Sequence, residues 1–509
     1  MSRVVMFVLN PCRTDARVLR EAATLAAAGH DVTVIARTDE AYAAAGEREA
    51  RDGFEIVRVP VARGARRWLL LARTPGRFGA AARVWAGEAA RRPPAGWLSI
   101  AAAAIGGVAA TPFLTVLAVA ARALRGGGRV VPPLRAAWQE IEWRLQWRFS
   151  VLSWAAAASA AAPSADIVHA HDLRALPAAR AVRARTGGAA VAPARGAVGG
   201  RESTRPALIY DSHEVFVEAG ANATRPATAR RALRRLERKE ARDAAALVTV
   251  NDALAALLGS ELGLARVAVV RNCSPRWTPP EPRPDLLRSA AGIVRGAPVV
   301  LYHGGLAPGR GVEQLAAALR EPGLESTHLV VMGMGPSRPL VARIAADPLA
   351  GGRVHLLDPV PPDEMLPWVA SADVVAVTIQ PTTLNHRLST PNKLFEGLAA
   401  GVPVLASDFP PMRAIVLDDP EGPLGAVCDP TDPASIAAGL RELLTLDPVA
   451  AAELRARCLR AAHARYAWEA EAEKLLALYR ELDAGRVPEG VLPTGPTRTV
   501  RRACLVRDG

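Results

Sequence analysis

RLSTPNKLFEGLAAGVPVLASD, Arg387 to Asp408, decides how the second half of this chain folds. Ser389 to Asn392 reads as the turn into a helix, and Gly401 with Pro403 stops that helix before the strand VPVLASD. The start of such a helix leaves backbone N–H groups unpaired beside the positive end of the helix dipole, which suits a phosphate. Ser389, Thr390, Pro391 and Asn392 form that turn, and Lys393 adds a full positive charge. Glu396, one turn further on, is placed to accept two hydrogen bonds from a vicinal diol such as a ribose. The bland alternative is a helix capped by Asn392, with Lys393 and Glu396 solvated.

Working outward, the same strand–helix alternation recurs. PVVLYHGG, HLVVMGMG, VHLLDPV and DVVAVTIQ read as strands, with helices from Val312 to Leu319 and from Asn392 to Ala400. Alternation of this kind implies a parallel sheet built from right-handed crossovers. YHGGLAPGRGVEQL, Tyr302 to Leu315, adds a glycine-rich turn at Gly304 and Gly305 and a basic side chain, Arg310, at a helix start. MGMGP, Met332 to Pro336, reads as a similar turn with a structural role. Upstream, RVVMFVL, DVTVIAR, FEIVRVP, DIVHAHD, ALIYDSHE, ALVTV and VAVVRNC give a second set of strands. Asp15 or Thr14 caps the first helix and Gly29 stops it. A strand feeding directly into this helix argues against a leading signal peptide and for a cytoplasmic chain. SPRWTPPEPRPD, Ser274 to Asp285, holds five prolines and reads as a linker.

The fold class expected is therefore α/β, two Rossmann-like domains facing across a cleft, with a helical, Arg/Trp-rich insertion in the first. The boundaries are 1–273 for the first domain (insertion 63–160, loop 187–206), 274–297 for the linker and 298–460 for the second domain. A C-terminal helix at 461–483 and a disordered tail at 484–509 complete the chain. Ligands of such sheets bind beyond the carboxyl ends of the strands. In the first half those ends carry HAHD, His169 to Asp172, and DSHE, Asp211 to Glu214, each placing a histidine beside a carboxylate, the pairing expected to engage hydroxyls. His171 and His213 are the candidates. His169 is expected on the opposite side of its strand from His171, as a packing residue. No metal-ligand spacing such as HExxH occurs, so no metal is expected.

Composition narrows the classes further. Across 509 residues, half are hydrophobic and 22% charged, which excludes wholesale disorder. Five scattered cysteines exclude a disulfide framework or zinc cluster and fit a reducing compartment. The net charge is +13, and residues 63–149 alone carry +11, from fourteen arginines against three acids, together with six of the ten tryptophans. Inside that segment Trp97 to Ala121 is uncharged, and about 20 apolar residues suffice to span a bilayer. A run of this kind, flanked by arginine and tryptophan, points to the membrane surface or an inserted segment, although its alanine richness also suits a buried hairpin. The Arg-rich helix over 225–242 carries Glu237, Glu240 and Asp243 at pairing intervals and no interleaved aromatics, so nucleic acid is not the expected partner.

Together these motifs resemble the GT-B glycosyltransferases of family four, retaining enzymes that use nucleotide sugars. The resemblance covers residues 1–60 and 165–480 and is most specific over Val354 to Val416. It implies a second domain that binds the nucleotide sugar without cofactor or metal, and a first domain that binds the acceptor. By position, Glu396 would hold the ribose, while Arg310, Lys393 and the Ser389–Asn392 backbone would hold the diphosphate. His171 would sit at the reaction centre, with His213 and Asp15 lining the acceptor side. Two departures stand out: the family's acid eight residues before the ribose-binding glutamate is here Leu388, and its arginine at the first turn is replaced within Gly304-Gly305-Leu306. Thr383, Asn385 or His386 would then supply the missing hydroxyl contacts. The implied activity is transfer of a sugar to a glycan or polyprenyl-linked acceptor at the cytoplasmic face of the membrane, in envelope or exopolysaccharide synthesis. A nucleotide-sugar epimerase and a non-catalytic membrane-associated subunit are the alternatives.

Overall fold

The computed structural model describes residues 1–40, 46–61, 140, 143–144, 146–186 and 205–484. The uncharged run 97–121, most of the Arg/Trp-rich insertion, residues 187–204 of the glycine-rich loop and the tail from 485 lie outside the described residues. Among the described residues no helix is long and apolar enough to cross a membrane.

Fourteen strands are described: β1 (Arg3–Phe7), β2 (Asp31–Arg37), β3 (Glu47–Arg51), β4 (Phe54–Val59), β5 (Ile167–His171), β6 (Ala207–Asp211), β7 (Ala246–Thr249), β8 (Val267–Val269), β9 (Val299–Gly305), β10 (His328–Met334), β11 (Val354–Leu357), β12 (Val374–Val377), β13 (Val404–Ser407) and β14 (Gly425–Cys428). They form two sheets, in the orders β3-β4-β2-β1-β5-β6-β7-β8 and β11-β10-β9-β12-β13-β14. The chain divides into two compact units: residues 1–13, 29–210 and 221–243, and residues 14–28, 211–220 and 244–509.

In the first unit β1 is central, pairing in parallel with β2 (Val4 opposite Val32) and with β5 (Val4 opposite Ile167). Its residues after Arg3 are buried without a break, as expected of a parallel strand covered on both faces. β3 was not foreseen. EREAR is charged, but the Asp52-Gly53 turn, both residues at positive φ, folds it back antiparallel onto β4 as an edge strand. The described end of the insertion, Ser153–Ala161, is helical, and Trp154 is fully buried with its indole N–H donating to the Ala36 carbonyl at 3.4 Å. Glu237, expected to pair along its own helix, is buried and accepts from the Tyr210 hydroxyl at 2.6 Å.

In the second unit the six-stranded sheet is wholly parallel. Its order reverses between β9 and β12, which are neighbours in space though β10 and β11 intervene in sequence. That reversal is where an open α/β sheet leaves a crevice at its carboxyl edge. The turn after β9 closes directly onto the chain leaving β12: Gln380 N–H donates to the Gly309 carbonyl at 2.9 Å, and the Thr378 hydroxyl donates to the Gly311 carbonyl at 3.3 Å. The region expected as a linker includes a short helix, Leu286–Ala291.

Gly311 makes this closure possible. Its φ is +75°, and a Cβ there would stand 1.9 Å from the Thr378 carbonyl oxygen. Gly292 has a similar φ of +66° but open space around it. Gly311→Ala should therefore cost about 2–4 kcal/mol, combining left-handed strain with steric overlap, against about 1 kcal/mol for Gly292→Ala. Chemical denaturation of the two variants measures the difference, and equal losses would refute the close-approach account.

Candidate functional site

Tyr302, His303, Arg310, Lys393 and Glu396 of the two second-half motifs act on one another beside the β9–β12 reversal. β9 begins as the fully buried run VVLY and ends in His303, Gly304 and Gly305, with Gly304 at φ +98°. Tyr302 is anchored by its hydroxyl, which donates to the Gly305 carbonyl at 3.0 Å. Its ring forms the face on which Lys393 rests: the ammonium nitrogen lies 3.5 Å from the ring centroid. Lys393 is the second residue of the helix Asn392–Ala399 and is only 9% exposed, so the alternative of a solvated lysine is excluded. Nor does Asn392 cap that helix. The cap position is Pro391, without a side-chain hydrogen bond, and the Asn392 side-chain oxygen accepts from Asn272 at 3.0 Å.

Burial, reinforced by the Arg310 charge and opposed by Glu396, lowers the Lys393 pKa to about 7. Glu396 stands three residues on, on the same side of the helix, with its pKa raised by burial against the pull of Lys393 and Arg20. The His303 Nδ1 approaches a Glu396 carboxylate oxygen to 3.5 Å. Burial, with help from Lys393, drives the His303 pKa down to about 3, so the imidazole is neutral. Arg310 sits in the turn before the helix Val312–Ala318, and its charge acts on Lys393, on Tyr302 and on His386. Arg310, Lys393 and Glu396 thus share one charged neighbourhood, which is what holding a diphosphate and a diol requires.

The turn before the Lys393 helix is held from outside. The Asn251 side chain donates to the Leu388 carbonyl at 2.8 Å and lies 3.4 Å from the Thr390 hydroxyl. The Ser389 hydroxyl donates to the His386 carbonyl at 2.9 Å. Leu388 is itself only 6% exposed and packs as an apolar residue.

The first-half candidates are placed as follows. His171 ends β5, buried, and its ring stacks on that of His169 with centroids 4.5 Å apart and planes 12° apart. The expectation that the two face opposite ways is wrong, because residues two apart on a strand point to the same face. Asp15 caps the helix Ala16–Ala27, accepting from the Val18 N–H at 3.3 Å. His213 reaches Asp211 at 3.1 Å. Asp211 in turn takes a forked pair of bonds from Arg17, at 3.1 Å from Nε and 2.9–3.0 Å from the terminal nitrogen, and Arg17 also meets Glu21 at 3.0 Å. Arg17 is thus the cation between two buried carboxylates. Burial, opposed by Arg17, raises the Glu21 pKa to about 8.

Arg17, Glu21, Arg20, Asn251 and His303 were missed as site residues. The signal for the first two was available: they stand four apart on the same apolar stripe as Val18, Ala22 and Leu25, where an unpaired charge would be costly.

Residues 297–446 match the family model of glycosyl transferases group 1. The chain is 32% identical over 213 residues to a D-inositol 3-phosphate glycosyltransferase of Xylanimonas cellulosilytica, covering 40% of this chain and 48% of that protein. A D-inositol 3-phosphate glycosyltransferase of Thermobispora bispora is 33% identical over 205 residues, 38% and 45% of the two chains. The chain therefore spans about half the length of the curated relatives it matches. Sucrose-phosphate synthase from Thermosynechococcus elongatus shares the fold, with a TM-score of 0.64 at 16% identity over 95% of this chain and 100% of that one.

A lysine with a pKa near 7 is half neutral at neutral pH, and an anion placed against it favours the protonated form. Affinity for a diphosphate diester used as a probe, whose charge does not change in this range, should accordingly be greatest below that pKa and fall about tenfold per pH unit at most between about pH 7 and about pH 8.5. Calorimetry in buffers of different ionisation enthalpy should register proton uptake on binding. Lys393→Arg, which does not titrate there, should flatten the profile; an unaltered profile would contradict the assignment.

Proposed function

We propose that this chain is a GT-B glycosyltransferase of the family-four type, an enzyme that moves a sugar from a nucleoside diphosphate to an acceptor hydroxyl with retention of configuration; the group 1 glycosyl transferase match over residues 297–446 and the likeness to the inositol-phosphate glycosyltransferases support this reading. The observation that carries this reading is the shared neighbourhood of Arg310, Lys393 and Glu396 at the β9–β12 reversal. Negative charge grows on the leaving diphosphate as the bond to the sugar breaks, and preorganised donors aimed at that charge lower the barrier. Arg310, Lys393 and the unpaired N–H groups at the start of the Asn392–Ala399 helix are such donors. They do the work a metal does elsewhere, so none is invoked. Glu396, held beside His303, accepts the ribose hydroxyls.

On the acceptor side we propose a lipid-linked or membrane-proximal substrate at the cytoplasmic face, in envelope or exopolysaccharide assembly. Its support is the composition of residues 63–149, with their +11 charge and six tryptophans. His171, His213 and Asp15 are the residues proposed to serve that side. A second reading, a soluble phosphorylated polyol, is favoured by what the two curated relatives are named for. The two separate in one assay: radiolabelled sugar should pass to a polyprenyl-phosphate-linked acceptor in anionic vesicles in the first case, and to D-inositol 3-phosphate in the second. Epimerised nucleotide sugar formed without any acceptor would overturn both.

Arg310→Ala should lower turnover by about two to three orders of magnitude, the usual loss for one preorganised donor. A steady-state assay in which that variant keeps wild-type turnover would remove the diphosphate role. Before the acceptor is known, a thermal-shift panel of UDP, GDP, ADP and TDP sugars tests the donor side, since the cognate donor raises the unfolding midpoint by mass action.

A further inference from the structure

Leu388 occupies the place where the resemblance calls for an acid near the sugar, and its buried side chain offers no polar contact there. The polar side chains just before it are largely committed. The Thr383 hydroxyl accepts from the His386 N–H at 3.1 Å as a helix cap. The Asn385 side-chain oxygen accepts from the Val215 N–H at 2.9 Å. The Thr382 hydroxyl lies 2.8 Å from His386 Nδ1.

His386 differs from these. Its Nδ1 also lies 3.2 Å from the Gln380 carbonyl, which can only accept, so Nδ1 carries the proton and Nε2 carries the lone pair. Nε2 has no hydrogen bond among the described residues. The ring edge between the two nitrogens rests against Gly309: Cε1 lies 3.3 Å from where a Cβ of that residue would stand, immediately before Arg310. Burial and the Arg310 charge both lower the His386 pKa, against the Gln380 carbonyl, so the lone pair persists at neutral pH.

We infer that His386 Nε2 accepts a hydroxyl of the donor sugar, substituting for the missing carboxylate at Leu388. This rests on the donor-site reading of Arg310 and Lys393. One lone pair takes one hydroxyl, where a carboxylate can bridge two, so sugar recognition here depends on a single acceptor locked by Thr382 and Gln380.

The test is calorimetry of the full-length protein with three matched pairs: UDP and UDP-glucose, GDP and GDP-mannose, ADP and ADP-glucose. For each, the ratio of the two dissociation constants isolates the sugar's contribution. His386→Asn keeps an amide near the Nδ1 position and removes the acceptor. It should lower that ratio about tenfold while the nucleoside diphosphate constant stays within about twofold, the loss of one neutral hydrogen bond. His386→Gln, whose longer side chain returns an acceptor near Nε2, should restore most of the ratio. An unchanged ratio in His386→Asn, or a parallel loss for both members of each pair, overturns the inference and leaves the donor site standing. Wild-type protein that binds none of the six ligands, nor TDP or TDP-glucose, overturns the donor-site reading, and the inference with it.

Discussion

Lys393 is a cation withdrawn from water onto the face of Tyr302 before any ligand arrives. Withdrawal of this kind is unfavourable to the charge, and the Arg310 charge makes it more so; Glu396 alone among the neighbours that shift its pKa relieves it. The rest of the second unit holds that arrangement in place. The Tyr302 ring is fixed by its hydroxyl bond to Gly305, and the turn bearing Arg310 is pressed onto the end of β12 by a glycine that leaves room for a carbonyl. An anion entering here relieves a repulsion between two basic groups, so binding and charge relief are the same event.

The first-half polar residues follow the opposite logic. Arg17, Glu21 and Asp211 are buried together, the Arg17 charge set against both carboxylates, with Glu21 tending to hold its proton. The Asp211 carboxylate, fixed by the Arg17 fork, in turn fixes the His213 imidazole beside it. His213 is a quarter exposed while its partner is wholly buried, an arrangement that presents one ring with a set orientation.

Most of the parallel architecture was legible in the sequence because its strands are short apolar runs between glycine-rich turns, and β1, β9 and β13 fall where those runs stand. β3 was hidden because an exposed edge strand has no apolar signature. The pairing of Lys393 with Glu396 was legible because the two lie three apart on one helix. Arg20 and Asn251, distant in sequence from that helix, were not, since nothing local in either ties it to residues more than a hundred positions away. The His169 and His171 pair shows a different limit: two-residue spacing on a strand does fix a shared face, and the stacking of the two rings follows from it.

The crevice at the β9–β12 reversal is assembled from two pieces of chain with very different freedom to vary. The piece that carries Arg310 and the turns beside it is pinned by close backbone approaches: Gly311 against the Thr378 carbonyl, Gly333 against that of Gly304, Gly335 against that of Leu306. The eight residues from Pro381 to Leu388 stand apart from the sheet ladder and are tied to the chain around them by His386 at the Gln380 carbonyl and by the Asn251 side chain at the Leu388 carbonyl. On the proposed donor reading, mutational drift in that short segment can retune which sugar is chosen without disturbing the anchored turn, so descendants of one scaffold are free to diverge in sugar while inheriting the same anchor.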